Sequence, residues 1–438
     1  MKEMDNYKTY DTYKPSGVEW LGDIPAHWEI EPGFTFIEER KEKNKGLIES
    51  TVLSLSYGNI IIKPEEKLTG LVPESFETYQ LVYPGDIIIR PTDLQNDKTS
   101  LRTALAKNKG IITNAYINLK IKRDYSTDYY KYFFYIIDIT KMIYGLGSGL
   151  RQNITYLDFK RFKFLIPPKE EQTRIASFLD EKTALIEKGI EIKQKQIELL
   201  KERRQILIHN AVTRGLNPHV KMKPSGVEWI GEIPEHWEVK RLKDICQMIV
   251  SNVDKHSKPL EYPVKLCNYV NVYKNDFITD EIDFMDATAT KDEIYRFSIK
   301  VNDVIITKDS EDWLDIGVPA LVKFEDENLI CGYHLAILRP KEHILGCFLH
   351  RALLSLNIRT QFSVKANGVT RYGISHSAIL GVFIVIPPIQ EQVAISEHIE
   401  TMSSKISTTI SFKEREIEKL KEYKATMINS VVTGKVKI

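Results

Sequence analysis

The sequence predicts an α+β chain built as an internal repeat: two domains of mixed α/β structure separated by two long helices that pair antiparallel as a coiled coil. Three observations predict it. The stretch "KPSGVEWLGDIPAHWEI" (Lys14 to Ile30) returns as "KPSGVEWIGEIPEHWEV" (Lys223 to Val239), 209 positions later. Further matches drift in offset: "PGDIII" (Pro84 to Ile89) faces "VNDVII" (Val301 to Ile306) at 217, and "SGLRQNIT" (Ser148 to Thr155) faces "GVTRYGIS" (Gly368 to Ser375) at 220. From there the offset is constant, through "FLIPPKEEQTRIASFLD" against "IVIPPIQEQVAISEHIE" and "IELLKERRQILIHNAVT" against "IEKLKEYKATMINSVVT". An offset that drifts and then locks marks a variable domain followed by a constant element, present twice.

The order that follows is a variable domain over residues 1–168, a constant helix over 169–215, a second variable domain over 216–388 and a second constant helix over 389–438. Within the variable domains, "GDIIIRP", "GIITNAYINLKI", "FKFLIPP", "NDVIITK", "LICGYHLAILRP" and "GVFIVIPP" are β-branched runs bounded by Gly, Pro, Asn or Asp, which predicts short strands. Helical stretches around Tyr129 to Ile143 and His343 to Ile358 sit between them. Where the second copy has "VND" for "PGD", Asn302 still suits a tight turn, so the fold is expected to survive the exchange.

Pro167-Pro168 and Pro387-Pro388 stop the last strand of each domain, and Glu170, Glu171 and Glu391 suit the start of a helix. Heptad spacing then places Ile186, Ile190, Lys193, Ile197, Leu200, Arg204, Leu207 and Ala211 on one seam, matched by Ile406, Ile410, Lys413, Ile417, Leu420, Lys424, Met427 and Val431. Coincident basic interruptions favour one shared seam over two independent amphipathic helices. Helices spanning Glu170 to Val212 and Gln390 to Val432 are each about 64 Å long at 1.5 Å per residue. A segment of roughly 170 residues has a radius of gyration near 15 Å, too small to join the end of one helix to the far end of a parallel partner. Antiparallel pairing is therefore expected, with the domains at opposite ends of a rod, an approximate twofold, and Val432 back at the first domain.

Composition narrows the class. With 438 residues and 42% hydrophobic content, the chain has material for real cores. The opening "MKEMDNYKTYDTYKPSG" lacks an apolar run, and no window approaches the roughly eighteen apolar residues of a membrane span, so a cytoplasmic protein without membrane contact is expected. Cys246, Cys267, Cys331 and Cys347 show no close pairing and read as buried small hydrophobes. A balance of 61 basic and 60 acidic residues names no partner.

A mixed domain that opens with "SGVEWLGDIPAHWE", carries a "PGD" strand and a "GLRQNI" loop, and ends in "IPPKEEQTRIASFLD" before a long helix resembles the specificity subunit of type I restriction–modification systems. The resemblance covers nearly all of the chain after about Tyr13, with the motifs in the same order in both halves. It implies that each variable segment is a target-recognition domain reading one half of a split double-stranded DNA site. It also implies that the helices space the domains and dock two methyltransferase subunits, with restriction (nuclease/translocase) subunits joining. No cofactor is expected in this chain; S-adenosylmethionine, ATP and Mg would sit on the partners. Two readers related by a twofold suit half-sites separated by roughly one turn, about 34 Å, and their unlike sequences predict an asymmetric target.

Trp20, His27, Trp28, Trp229, His236 and Trp237 suggest base stacking, but a motif nearly identical in both halves is better suited to pinning a chain segment onto a core. Base contacts belong to polar loops that differ between halves: "RPTDLQNDKTSLRTALAK" offers Gln95, Asn96, Lys98 and Arg102, and "TKDSEDWLDIG" offers Lys308, Asp309 and Ser310. Arg151 and Arg371, with Gln152 and Tyr372 beside them, recur in both halves and suit phosphate contact. "CGYH" (Cys331 to His334) and "CFLH" (Cys347 to His350) have zinc-like spacing, yet positions i and i+3 of a strand face opposite sides and the first half has no counterpart. No phosphate-binding glycine loop and no "NPPY"-like methyltransferase motif occurs, so a non-catalytic subunit is expected. The rivals are a coiled-coil scaffold that reads no bases and a stand-alone methyltransferase or nuclease.

Overall fold

The computed structural model describes residues 8–64, 66, 75–92, 94, 101–122, 124–146, 153–254 and 257–438. Two compact units emerge, one comprising residues up to Lys193 together with Glu414–Ile438, the other Gln194–Lys413. Each unit thus contains one variable domain and half of each long helix.

In the first unit, β1 (Ile37–Glu39), β2 (Ile87–Ile89), β3 (Thr103–Leu105) and β4 (Ile117–Ile121) form an antiparallel sheet in the order β1-β4-β2-β3. Helix α1 (Thr127–Ile139), capped by the Ser126 hydroxyl, buries Tyr129, Tyr130, Phe133, Phe134, Ile136 and Ile137. The opening motif ends in a strand, Glu29–Pro32, that pairs with Lys163–Ile166. The strand that ends the opening motif and the domain's last strand therefore close on each other, so the two motifs recur together. Helix α2 (Lys169–Arg214) follows directly.

The second unit repeats this plan with a larger sheet. Its strands β5 (Cys246–Val250), β6 (Phe277–Ile278), β7 (Val304–Thr307), β9 (Pro319–Val322) and β10 (Leu335–Pro340) lie in the order β5-β10-β7-β9-β6. The short strands β8 (Asp309–Ser310) and β11 (Tyr372–Gly373) pair separately. Helix α3 (Gly346–Leu353) and then α4 (Ile389–Val432) complete it, and Glu238–Arg241 closes on Phe383–Ile386 as in the first unit. A further sheet is formed by Tyr262–Cys267, Met285–Ala289 and Leu329–Cys331.

The "PGD" and "VND" motifs make the same turn. Gly85 and Asn302 hold φ of 94° and 77°, the left-handed region that glycine enters freely and asparagine tolerates. The next residue closes the turn: Asp86 accepts from the Tyr83 amide and Asp303 from the Lys300 amide, both at 2.9 Å. Each buried aspartate also binds an arginine, Arg40 at 2.9 Å and Arg339 at 2.7 Å.

The repeated "HWE" and "EEQ"/"QEQ" segments meet at the helix ends. In the first unit the Glu171 carboxylate accepts from the Trp28 indole at 3.0 Å and Tyr10 at 2.9 Å, and lies 2.7 Å from His27 Nε2. Burial pushes this carboxyl up, but the bonds from His27, Trp28 and Tyr10 outweigh it and hold the pKa below the usual value. In the second unit Trp237 and His236 bind Glu391 at 3.1 and 2.6 Å. The glycine ending each long helix packs on the same tryptophan: a Cβ on Gly434 would lie 2.9 Å from Trp28, and one on Gly215 would lie 3.1 Å from Trp237. The adjoining glutamines cap the domain: Gln172 accepts from the Ser126 amide and Gln392 from the Leu345 amide. Trp28 and Trp237 are fully buried, whereas Trp20 is half-buried against Phe133 and Trp229 is exposed.

Within each unit the long helices run antiparallel. Lys193 meets Glu416 at 2.8 Å and Lys424 meets Glu187 at 2.6 Å in the first unit; Lys413 meets Gln196 at 2.7 Å in the second. The Tyr129 hydroxyl donates to the Val432 carbonyl at 2.9 Å, so the chain's end does return to the first domain. Ile186, Ile197, Ala211, Ile406, Ile417, Met427 and Val431 are buried, and Ile190, Lys193, Leu200, Arg204, Leu207, Ile410, Lys413, Leu420 and Lys424 are half-buried. Surface ion pairs contribute about 0.2–1 kcal/mol, less than a leucine gains by burial. Lys193→Leu and Lys413→Leu are each expected to raise stability by about 1 kcal/mol, read as a higher melting temperature; an unchanged melt would contradict the register.

Candidate functional site

The strand after the "PGD"/"VND" turn leads into the loop whose sequence differs between the halves, and this loop meets the repeated arginine loop. The junction is one backbone bond made twice: Ile154 N–H donates to the Pro91 carbonyl and Ile374 N–H to the Lys308 carbonyl, both at 3.0 Å. The same joint in both units therefore carries different side chains.

In the second unit the joint is extended by β8 and β11, with Asp309 opposite Gly373 and Ser310 opposite Tyr372. It brings together Lys308, Asp309 and Ser310 from one loop and Arg371 and Tyr372 from the other. The Asp309 carboxylate accepts from Arg371 at 2.8 Å and is 2.7 Å from His334 Nδ1. The Lys308 amide donates to the His334 carbonyl at 3.0 Å, tying the turn before β10 to the same joint. The Tyr333 ring packs edge-on to His334 at 4.5 Å, and the Lys308 ammonium lies 5.7 Å from the Tyr333 centroid. Burial lowers the Lys308 pKa, opposed by Cys331 and Asp309. Ser310 is buried, while Tyr372 is half-buried and Arg371 is exposed. Tyr333, Trp313 and Tyr273 are exposed in the same unit.

In the first unit Arg102 requires a correction. It is fully buried, with Nη1 donating to the Thr92 carbonyl at 2.6 Å and Nε to the Tyr144 hydroxyl at 3.2 Å. Its own amide and that of Thr103 donate to Asp138 on α1. A guanidinium spent on interior acceptors anchors Thr92 to Tyr144 and has no face left for a base. Gln95, Asn96, Lys98, Arg151 and Gln152 lie outside the described residues.

His334 was not among the residues expected to bind; its only signal was the Cys-x2-His spacing. The two halves of that pattern have separate surroundings, His334 on Asp309 and His350 in the core beside Phe277. Among the described residues no group of three or more His, Cys, Asp or Glu is placed to hold a metal ion. Cys246, Cys267 and Cys331 are buried and Cys347 half-buried, all as free thiols. No described helix is long and apolar enough to cross a membrane. Glu171, Glu391, Gln172 and Gln392 were also missed as anchors, although their recurrence at matched positions marked them.

The sequence matches the family described as "Type I restriction modification DNA specificity domain" twice, over residues 29–202 and 234–422. It is 24% identical over 424 residues to the type I restriction enzyme MjaVIII specificity subunit of Methanocaldococcus jannaschii, covering 95% of this chain and 94% of that protein. It is 22% identical over 213 residues to the EcoKI specificity subunit of Escherichia coli K12, covering 47% of this chain and 44% of that protein. In fold it is similar to a chain solved in work on assembly and conformational transition of the type I R-M system, with TM-score 0.69, 13% identity and coverage of 93% and 98%. It is also similar to the HsdS subunit of Thermoanaerobacter tengcongensis, with TM-score 0.50, 13% identity and coverage of 94% and 98%.

Proposed function

The chain belongs to the type I restriction–modification DNA specificity family, and on that premise we propose that it reads an asymmetric bipartite site in double-stranded DNA with its two recognition domains. The observation that carries this reading is the joint made twice by the same backbone bond and dressed with different side chains. A shared frame with unlike decoration suits two readers of unlike half-sites.

The chemistry belongs to partners: two methyltransferase subunits carrying S-adenosylmethionine, and restriction subunits using ATP and Mg, docked through the long helices. One helix face supports docking. Leu185, Ile192, Leu199 and Ile206 recur every seven residues along α2 and are 58%, 50%, 52% and 52% exposed. An apolar stripe facing solvent at heptad spacing suits a partner helix. The matched positions of α4 are Lys405, Phe412, Lys419 and Thr426, so two partner copies would not meet identical helix faces.

Arg371, exposed yet steered by Asp309, is assigned to a phosphate. Arg371→Ala in the assembled complex is expected to weaken binding evenly across duplex sequences and to reduce the salt slope by about 1. Titration of fluorescent duplexes at several salt concentrations measures both. An unaltered slope would remove Arg371 from the interface, and equal affinity for target and scrambled duplexes would favour the scaffold.

A further inference from the structure

We infer that His334 is a specificity-determining residue of the second recognition domain, selecting a base that offers an exocyclic amino group, adenine N6 or cytosine N4. The inference rests on the DNA-reading assignment above and adds to it the chemistry of one contact.

The argument starts from Asp309. Its carboxylate only accepts hydrogen bonds, and it lies 2.7 Å from His334 Nδ1, so that nitrogen carries the proton. In the neutral ring Nε2 is then a bare acceptor. Asp309 is itself fixed, by strand pairing of β8 with β11 and by Arg371 at 2.8 Å. The ring is further held by the edge of Tyr333, and the main chain that carries it by the bond from the Lys308 amide to the His334 carbonyl. Its side chain nevertheless stays 37% exposed. The result is an oriented acceptor at the surface, beside the donors of Arg371.

In the major groove only adenine N6 and cytosine N4 present a donor; guanine N7 and O6 and thymine O4 are acceptors and would set lone pair against lone pair. His334 has no partner in the first unit, where the arginine loop is "SGLRQNIT" and the matched region lacks "CGYH". A residue confined to one reader suits choice of base rather than contact with phosphate.

The test is methylome sequencing of cells carrying the full chain and its methyltransferase, comparing wild type with His334→Ala, His334→Gln and His334→Lys. Wild type is expected to place A or C at one position of one half-site. His334→Ala should relax that position alone by roughly 5- to 100-fold, leaving the other half-site and the spacer unchanged. His334→Gln, which retains an acceptor, should keep the base, and His334→Lys, a pure donor, should move the preference to the acceptor-bearing G or T. An unchanged motif in His334→Ala, a half-site weakened evenly at all positions, or methylation lost in both His334→Ala and His334→Gln would overturn the inference. A wild-type methylome identical to that of cells lacking the chain would instead overturn the DNA-reading assignment.

Discussion

Trp28→Ala is expected to lower the unfolding free energy by about 3–5 kcal/mol, the range for truncating a buried aromatic. Trp28 is fully buried in the first unit's core. Its indole donates to Glu171 at the start of α2, and the turn at Gly434, just past α4, packs on the ring. One side chain thus ties together the opening motif, one helix start and the other helix end. Its loss leaves a cavity and removes one of the three bonds to Glu171, leaving those of Tyr10 and His27. Trp237→Ala should do the same in the second unit through Glu391 and Gly215. Urea unfolding followed by circular dichroism measures the change; a loss below about 1 kcal/mol would contradict the anchoring role.

His350 makes the second unit acid-sensitive. Burial in α3 drives its pKa from the ordinary 6.5 to about 3, helped by the neighbouring Arg351 charge and only partly opposed by the Pro319 carbonyl. As pH falls below 6.5 the unfolded chain takes up this proton and the folded one does not. Stability therefore declines between pH 6.5 and about 3, by about 3 kcal/mol at pH 4 from this residue alone. Replacing His350 with leucine removes that penalty, so the variant should lose less stability than wild type between pH 7 and 4. Melting curves at both pH values decide it, and parallel losses in the two proteins would place the proton elsewhere.

The repeat made the architecture legible. Heptad spacing announced the long helices to within two residues at either end, because a helix's apolar period survives without knowledge of its partner. Asn302 could be read as a turn residue because it needs only local backbone freedom. Of the further sheet in the second unit, Leu329–Cys331 lay within a predicted strand run, but Tyr262–Cys267 and Met285–Ala289 escaped notice, since Tyr262–Cys267 pairs with Leu329–Cys331 far away in sequence. Arg102 was misread for a related reason: an arginine in a polar loop looks exposed until the acceptors waiting inside, the Thr92 carbonyl and the Tyr144 hydroxyl, are known. His334 was hidden by its lack of a repeat partner, and only the fold brings it to Asp309, 25 positions away in sequence.

The central claim is that this chain chooses the DNA sequence that its partners modify. Methylome sequencing of cells with the chain and its methyltransferase, against cells lacking only the chain, tests it most directly. The account predicts a split, asymmetric motif methylated on both strands that vanishes with the chain. The same methylome in both cells would contradict it.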